Sequence, residues 1–137
     1  MIKREAILAS LATTLALDRN TPIGEFKSTW RSLSDGELEK TEEFLNGPIF
    51  EWQARPVLVL AVEGGTPAER NAAMSALIEA QVALLDTARQ QLITAGLIDD
   101  LRAVDPDFSA TDLWGAVGVK AADLTIEIDY WSDQSVG

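Results

Sequence analysis

Few side chains in this sequence could take part in catalysis. Glu127 and Asp129 are the clearest candidates, because residues two apart on a strand lie on one face about 7 Å apart, and paired carboxylates can act as general acid and base. The 137-residue chain contains no cysteine and no histidine, which excludes thiolate nucleophiles, Cys/His zinc sites and His-based triads. We therefore expect no catalytic residues and a protein that is not an enzyme, with carboxylate chemistry as a remaining alternative.

Two segments resemble ligand-binding loops but lack essential residues. Residues 62–67 have the strand–turn–helix context of a phosphate-binding loop, but not the lysine that would hold the phosphates. The acidic segment 105–116 resembles a calcium loop, yet Ala110 and Ala116 stand where that loop needs glycine and glutamate. We interpret the first as a turn with a helix cap and the second as an acidic surface loop, and we expect no cofactor and no metal.

The charge of the chain is strongly negative. It carries 22 acidic and 11 basic residues, for a net charge of −11. Most of the excess lies in residues 57–137, where only four basic residues occur. Such a field repels phosphate backbones, so we expect no sequence-specific nucleic-acid binding. A basic protein partner, mimicry of nucleic acid, a surface that does not adhere to DNA and simple solubility all remain open.

The N-terminal segment combines a basic start with a weakly apolar stretch, which loosely resembles a signal peptide. Its apolar residues, however, follow the spacing of one helical stripe, and we favour an amphipathic helix over residues 2–17: Ile7, Leu8, Leu11 and Leu15. No stretch approaches the roughly 20 apolar residues of a membrane span. We expect a protein that is made in the cytoplasm and has no membrane partner.

The remaining pattern predicts strands and one long helix. Alternation predicts a strand over 26–33, with Trp30 on its core face and Arg31 on its polar face, and a turn at residues 34–36. A hairpin follows, with arms 40–45 and 49–62 joined at Asn46-Gly47, and Pro56 predicts a bulge or a sheet edge. Residues 67–95 form a long helix capped by Thr66 and Gly96, and short and long strands follow at 101–104 and 124–131.

These elements predict one domain over residues 1–137, of the α+β class. It consists of a small, mainly antiparallel sheet of about four strands with a projecting hairpin, packed against an N-terminal helix and a long central helix. The second hairpin arm is polar on one face near the turn and apolar on both faces near Val62. Because helices of the domain can pack against only one of these faces, the pattern predicts that a second layer, such as a neighbouring subunit, packs against the other. Trp52 belongs to the core parity, whereas Trp131 falls on the polar face of the last strand.

Element order and three strings together resemble a known family. The strings are EFLNGPI at 43–49, PAERNAA at 67–73 and KAADLTI at 120–126. They resemble the tail-terminator (tail-completion, minor tail) proteins of long-tailed phages and of related gene-transfer particles. The resemblance implies a structural virion protein without catalytic residues, which forms a homohexameric ring at the head-proximal end of the tail. Its partners would be the major tail tube protein and the head–tail connector (neck) protein, with DNA passing through the lumen.

The expected interface residues follow from the predicted hairpin and from Trp131, a large aromatic residue on the polar face of its strand. They comprise the hairpin tip, the polar half of the next strand and one exposed aromatic: Phe44, Leu45, Asn46, Gly47, Pro48, Ile49, Glu51, Gln53, Arg55 and Trp131. The alternative function is an acidic inhibitor that binds a basic nucleic-acid-binding protein by mimicking phosphate charge.

Overall fold

Four strands and two helices make up the fold. The computed structural model describes residues 2–21, 28–44, 49–108, 118–133 and 137. The elements are α1 (Lys3–Leu15), β1 (Thr29–Phe44), β2 (Ile49–Glu63), α2 (Pro67–Thr94), β3 (Asp100–Ala103) and β4 (Val119–Ser132). The strands form one antiparallel sheet in the order β1-β2-β4-β3. This confirms the α+β class, the N-terminal helix and the long central helix.

One face of the sheet packs against both helices and forms the core. Even-numbered residues of β2 and β4 point into it, as the alternation in the last strand predicts: Leu58, Leu60, Leu124, Ile126, Ile128 and Tyr130 are all buried. Helical stripes cover them, with Ile7, Leu11 and Leu15 from α1 and Met74, Leu85 and Leu92 from α2. Burial of these stripes is what holds the helices on the sheet, because apolar contact area is the main stabilising contribution.

Both ends of α2 are capped as the sequence predicts. The Thr66 hydroxyl accepts a hydrogen bond from the backbone N–H of Glu69 at 3.2 Å, and Pro67 occupies the first turn. At the other end Gly96 has a φ of +73°, and its N–H donates to the Ile93 carbonyl at 3.0 Å. The glycine-containing segment before α2 is therefore a turn and helix cap.

The predicted turn at residues 34–36 is wrong, because β1 runs through it as one strand. Ser34 pairs with Val57 and Glu37 with Arg55, so two residues of β1 bulge opposite Pro56. Proline has no N–H to donate, and the bulge lets pairing resume beyond it. The bulge predicted at Pro56 is confirmed, whereas the sheet edge is wrong, since β2 pairs with strands on both sides.

The predicted faces of the first strand are also reversed. Arg31 points into the helix layer, where its Nη1 donates to the Leu15 carbonyl at 3.3 Å and to Gln81 Oε1 at 3.2 Å. Trp30 pairs with Ala61 on the opposite face and is half-buried. Arg31 can turn inward because an unsatisfied carbonyl at the C-terminus of α1 and a buried amide receive its protons. Trp52, by contrast, is only 7% exposed, as predicted.

Candidate interaction surface

Five of the ten predicted interface residues lie on the sheet face opposite the two helices, which we call the outer face: Ile49, Glu51, Gln53, Arg55 and Trp131. Glu51, Gln53 and Arg55 alternate along β2 toward this face. The register with β4 places Trp131 opposite Glu51 and Asp129 opposite Gln53. The structure therefore brings together four of the predicted interface residues, which the sequence separates by up to 80 positions.

A polar network crosses all four strands of the outer face. Gln53 Nε2 donates to Asp129 Oδ1 at 3.0 Å, and Arg55 Nε donates to Gln53 Oε1 at 2.7 Å. Arg55 also binds Glu39 on β1 at 2.7 Å. Arg102 on β3 binds Glu127 at 3.1 Å and Asp129 at 2.7 Å. The network fixes these side chains in place across the sheet.

The polar network pairs both carboxylates of the candidate acid–base pair with arginine side chains. Glu127 and Asp129 both accept from Arg102, and Arg55 Nε lies 3.7 Å from Glu127 Oε2. The hydrogen bond to Asp129 is the main reason why the pKa of Arg102 is raised above its ordinary value. The two carboxylates are thus held as partners of arginine in an ion-pair network.

The end of the outer face nearest the hairpin turn carries exposed apolar side chains. Ile49 is 43% exposed and Trp131 is 47% exposed, and Glu51 lies between them in the register. Lys3 Nζ lies 4.4 Å from the centroid of the Trp131 ring, a cation–π contact. We call Ile49, Glu51 and Trp131 the distal patch.

Acidic side chains surround the distal patch. Glu42 of β1 pairs directly opposite Glu51 of β2, an arrangement in which like charges repel each other. Glu37, Glu39 and Glu43 on the same strand are exposed as well. Glu39 forms an ion pair with Arg55, but the Glu42–Glu51 repulsion does not stabilise the hairpin, so local stability does not explain these two charges.

The other half of the outer face is apolar, as predicted, and the chain itself covers part of it. Ala61 and Ala121 are fully buried, while Val57 and Val59 are half-buried. The most exposed apolar side chains of the outer face therefore lie in the distal patch rather than along this half. Of the predicted hairpin tip, Phe44 pairs with Ile49, and residues 45–48 lie outside the described residues.

A groove at the opposite end of the sheet was not predicted from the sequence. It encloses about 220 Å³ between α2, the segment before residue 109 and the start of β4. Lys120 Nζ donates to Asn71 Oδ1 at 2.9 Å and lies 4.8 Å from the centroid of the Phe108 ring. Met74 and Ile78 form its apolar wall. We call these five residues the proximal groove. Helical spacing within 67–95 is typical of core residues at Met74 and Ile78, and no pattern in the sequence links them to Phe108.

Neither the arrangement of possible metal-binding side chains nor the comparison with known proteins identifies a function. Among the described residues, no three acidic side chains are arranged to hold a metal ion, and neither α1 nor α2 is long and apolar enough to cross a membrane. Within the candidate calcium segment, Asp107 forms a backbone bridge with Asp123, and Ser109 and Asp112 lie outside the described part. No protein-family model matches the chain, and no curated protein is similar to it.

Proposed function

We propose that this protein is a structural subunit that associates with copies of itself into a ring and terminates the tail of a phage-like particle. The observation that supports this best is the distal patch. A tryptophan and an isoleucine, each more than 40% exposed, flank one glutamate on the sheet face opposite the two helices, where only the Lys3 side chain of α1 reaches the tryptophan ring among the described contacts. Large exposed aromatic and aliphatic side chains bordered by charged residues are typical of a protein–protein interface.

The contacts of the ring involve side chains rather than extension of the sheet. The outer edge of β1 is bonded at Leu33 to the segment after α1, through Asp18 and Asn20. Beyond the bulge that strand carries charged residues at almost every position, from Glu37 to Glu43. Charges on an edge strand oppose pairing with another strand. The distal patch is therefore the contact surface that we assign to assembly.

The proposed place of the ring is the head-proximal end of the tail tube. There it would stop elongation of the tube by contacting the major tail tube protein, and it would present its other side to the head–tail connector. The net charge of −11 suits a passage for DNA, because phosphates are repelled by acidic surfaces and held by lysine and arginine. The family that the sequence resembles forms hexamers, and we propose the same stoichiometry here.

Assembly and tail binding can be measured directly. We expect the purified chain to form rings, seen by light scattering and electron microscopy, either alone or after addition of purified tail tubes. Trp131→Ala should reduce ring formation, and Val82→Ala, which removes an exposed apolar side chain from α2, is the matched control. A chain that stays monomeric and does not sediment with tail tubes would contradict the proposal.

A second candidate function rests on the acidic end of the hairpin. Glu37, Glu39, Glu42, Glu43 and Glu51 lie on two paired strands, an arrangement that could occupy the basic site of a nucleic-acid-binding protein. An inhibitor of this kind acts as a monomer, and its affinity falls steeply with salt because the contacts are charged. Displacement of DNA from a basic protein by the chain, lost at high salt, would favour this function over the ring.

A further inference from the structure

The proximal groove combines an apolar cavity with the ammonium group of Lys120. Met74, Ile78 and Phe108 supply its apolar surface, and Ser75 and Glu79 complete its margin. The volume of about 220 Å³ is enough for one large side chain. Phe108 is 41% exposed, so the groove opens to solvent on that side. This is the shape of a site that receives a side chain from another molecule.

The cation at the groove differs from four arginines of the chain in the kind of group that it binds. Arg19, Arg55, Arg89 and Arg102 each bind at least one carboxylate. Lys120 instead donates to the neutral amide oxygen of Asn71, and no carboxylate of the described residues lies within 4 Å of its Nζ. An acidic group brought in beside the apolar side chain would therefore find a partner at the groove.

We infer that the distal patch of one copy docks into the proximal groove of a second copy. The patch presents an acid between two apolar side chains, and the groove presents a cation beside an apolar cavity. In the docked pair, an apolar side chain of the patch fills the cavity and Glu51 faces Lys120. This inference rests on the proposed ring, and it specifies which two surfaces of neighbouring subunits meet.

The position of the two surfaces makes the contact intermolecular and head-to-tail. Glu51 pairs with Trp131 at one end of the β2–β4 ladder, and Val62 pairs with Lys120 at the other. Val62 lies eleven positions after Glu51 along the extended strand, which corresponds to about 36 Å. One copy cannot satisfy its own groove. A contact between two different surfaces repeats from copy to copy and closes into a ring when the rotation permits.

The symmetric alternative, patch against patch, is electrostatically unfavourable. It would bring Glu51 and Glu42 of one copy close to the same residues of another, and these side chains already repel each other within one hairpin. Docking into the groove exchanges that repulsion for attraction to Lys120. The charges thus favour the head-to-tail contact over the symmetric one.

Cysteine cross-linking tests the contact, because the chain has no cysteine of its own. Ile49→Cys and Phe108→Cys are prepared as separate variants and mixed under mild oxidation. We expect the mixed disulfide to form about tenfold faster than in a mixture of Ile49→Cys with Gln90→Cys, since docking raises the effective concentration of the two thiols. Gln90 is exposed on α2 and far along the helix from the groove. Equal rates in the two mixtures would overturn the inference.

A charge exchange tests the same contact without cysteines. Glu51→Lys and Lys120→Glu should each weaken self-association measured by sedimentation, because each places like charges in the contact. A mixture of the two variants should recover it, since each patch then meets a groove of opposite charge. No recovery would contradict docking. Rings that form normally without the cross-link would overturn this contact alone, whereas a chain that never associates would overturn the ring as well.

Discussion

The guanidinium of Arg31 on β1 donates to the side-chain oxygen of Gln81 on α2, 50 residues away, inside the layer between sheet and helix. Gln81 is only 2% exposed and lies in the middle of an otherwise apolar helix face. Each of these polar groups is tolerated in the core because the other satisfies it. This pair connects the edge strand of the sheet to the long helix.

Removing one member of this pair should destabilise the protein. We expect Gln81→Ala to lower the free energy of unfolding by about 1–3 kcal/mol, because it leaves the half-buried Arg31 guanidinium with the Leu15 carbonyl but without its side-chain acceptor. Urea unfolding followed by tryptophan fluorescence measures the change. Gln90→Ala, on the exposed side of the same helix, should have almost no effect. Equal effects of both substitutions would contradict this role of Gln81.

The β-bulge in β1 requires glycine at position 36. Gly36 has a φ of +64°, and a Cβ there would lie 1.9 Å from the Arg55 carbonyl oxygen. We expect Gly36→Ala to destabilise the fold by roughly 3 kcal/mol or more, because strain and steric overlap add. Gly64→Ala is the matched control, since Gly64 has a φ of +86° with no atom within 4 Å of the added Cβ. That variant should lose only about 1 kcal/mol, from strain alone. Thermal unfolding of both variants separates the two contributions.

A charged cluster behind the bulge should make stability depend on pH. Hydrogen bonding to Arg19 lowers the pKa of Glu5. Burial raises the pKa of Asp35, but hydrogen bonding with Arg19 and Asn20 outweighs it, so the pKa of Asp35 is lowered as well. Since both pKa values are lowered in the folded state, their stabilisation is complete above pH 4.5 and is lost as the pH falls through the lowered values. Arg19→Gln should therefore lose less stability than the unaltered chain between pH 7 and pH 3. The same loss in both proteins, measured by urea unfolding, would argue against this cluster.

Tyr130 should ionise only in strongly alkaline solution. Burial raises the pKa of its hydroxyl to about 12, from an ordinary value of 10.0. The neutral phenol is therefore favoured in the folded protein, and its contribution is present below pH 10 and lost as the pH rises toward 12. Because this is the single tyrosine of the chain, titration by near-ultraviolet absorbance reports it directly. A midpoint near 10 in the folded protein would show that the ring is accessible to solvent.

Substitutions of Trp52 and Trp131 should have different effects, the first on stability and the second on self-association. Trp52→Ala removes a core side chain and should cost about 3–5 kcal/mol of unfolding free energy. Trp131→Ala removes an exposed side chain and should change stability by less than about 0.5 kcal/mol, while it reduces self-association. Urea unfolding and sedimentation of each variant measure the two effects. Loss of stability without loss of association in Trp131→Ala would assign that residue to the fold instead.

Periodicity and local capping were sufficient to predict much of the architecture. The alternation from Leu124 to Tyr130 identified β4 and its buried face, and Thr66, Pro67 and Gly96 marked both ends of α2. These signals are local, since each depends on residues within one element or one turn. The exposure of Trp131 followed in the same way from the parity of its strand.

The failures of prediction all involve contacts between distant residues. Ser34, Asp35 and Gly36 have the composition of a turn, and only pairing with β2 across Pro56 makes them a bulge within one strand. Arg31 has the residue type of a polar face, yet a carbonyl of α1 and the amide of Gln81 draw it inward. Local propensity cannot include partners that lie far away in the chain.

The amino-acid sequence by itself determined the element types, the acidic charge, the absence of thiol and imidazole chemistry, and the parity that exposes Trp131. Tertiary structure alone decided which residues share a surface. It brought Glu51 beside Trp131 across 80 positions, and it joined Met74 to Phe108 and Lys120 around one groove. The physical reason is that strand order and register are set by burial of the whole core, and a site formed between elements exists only after that packing is complete.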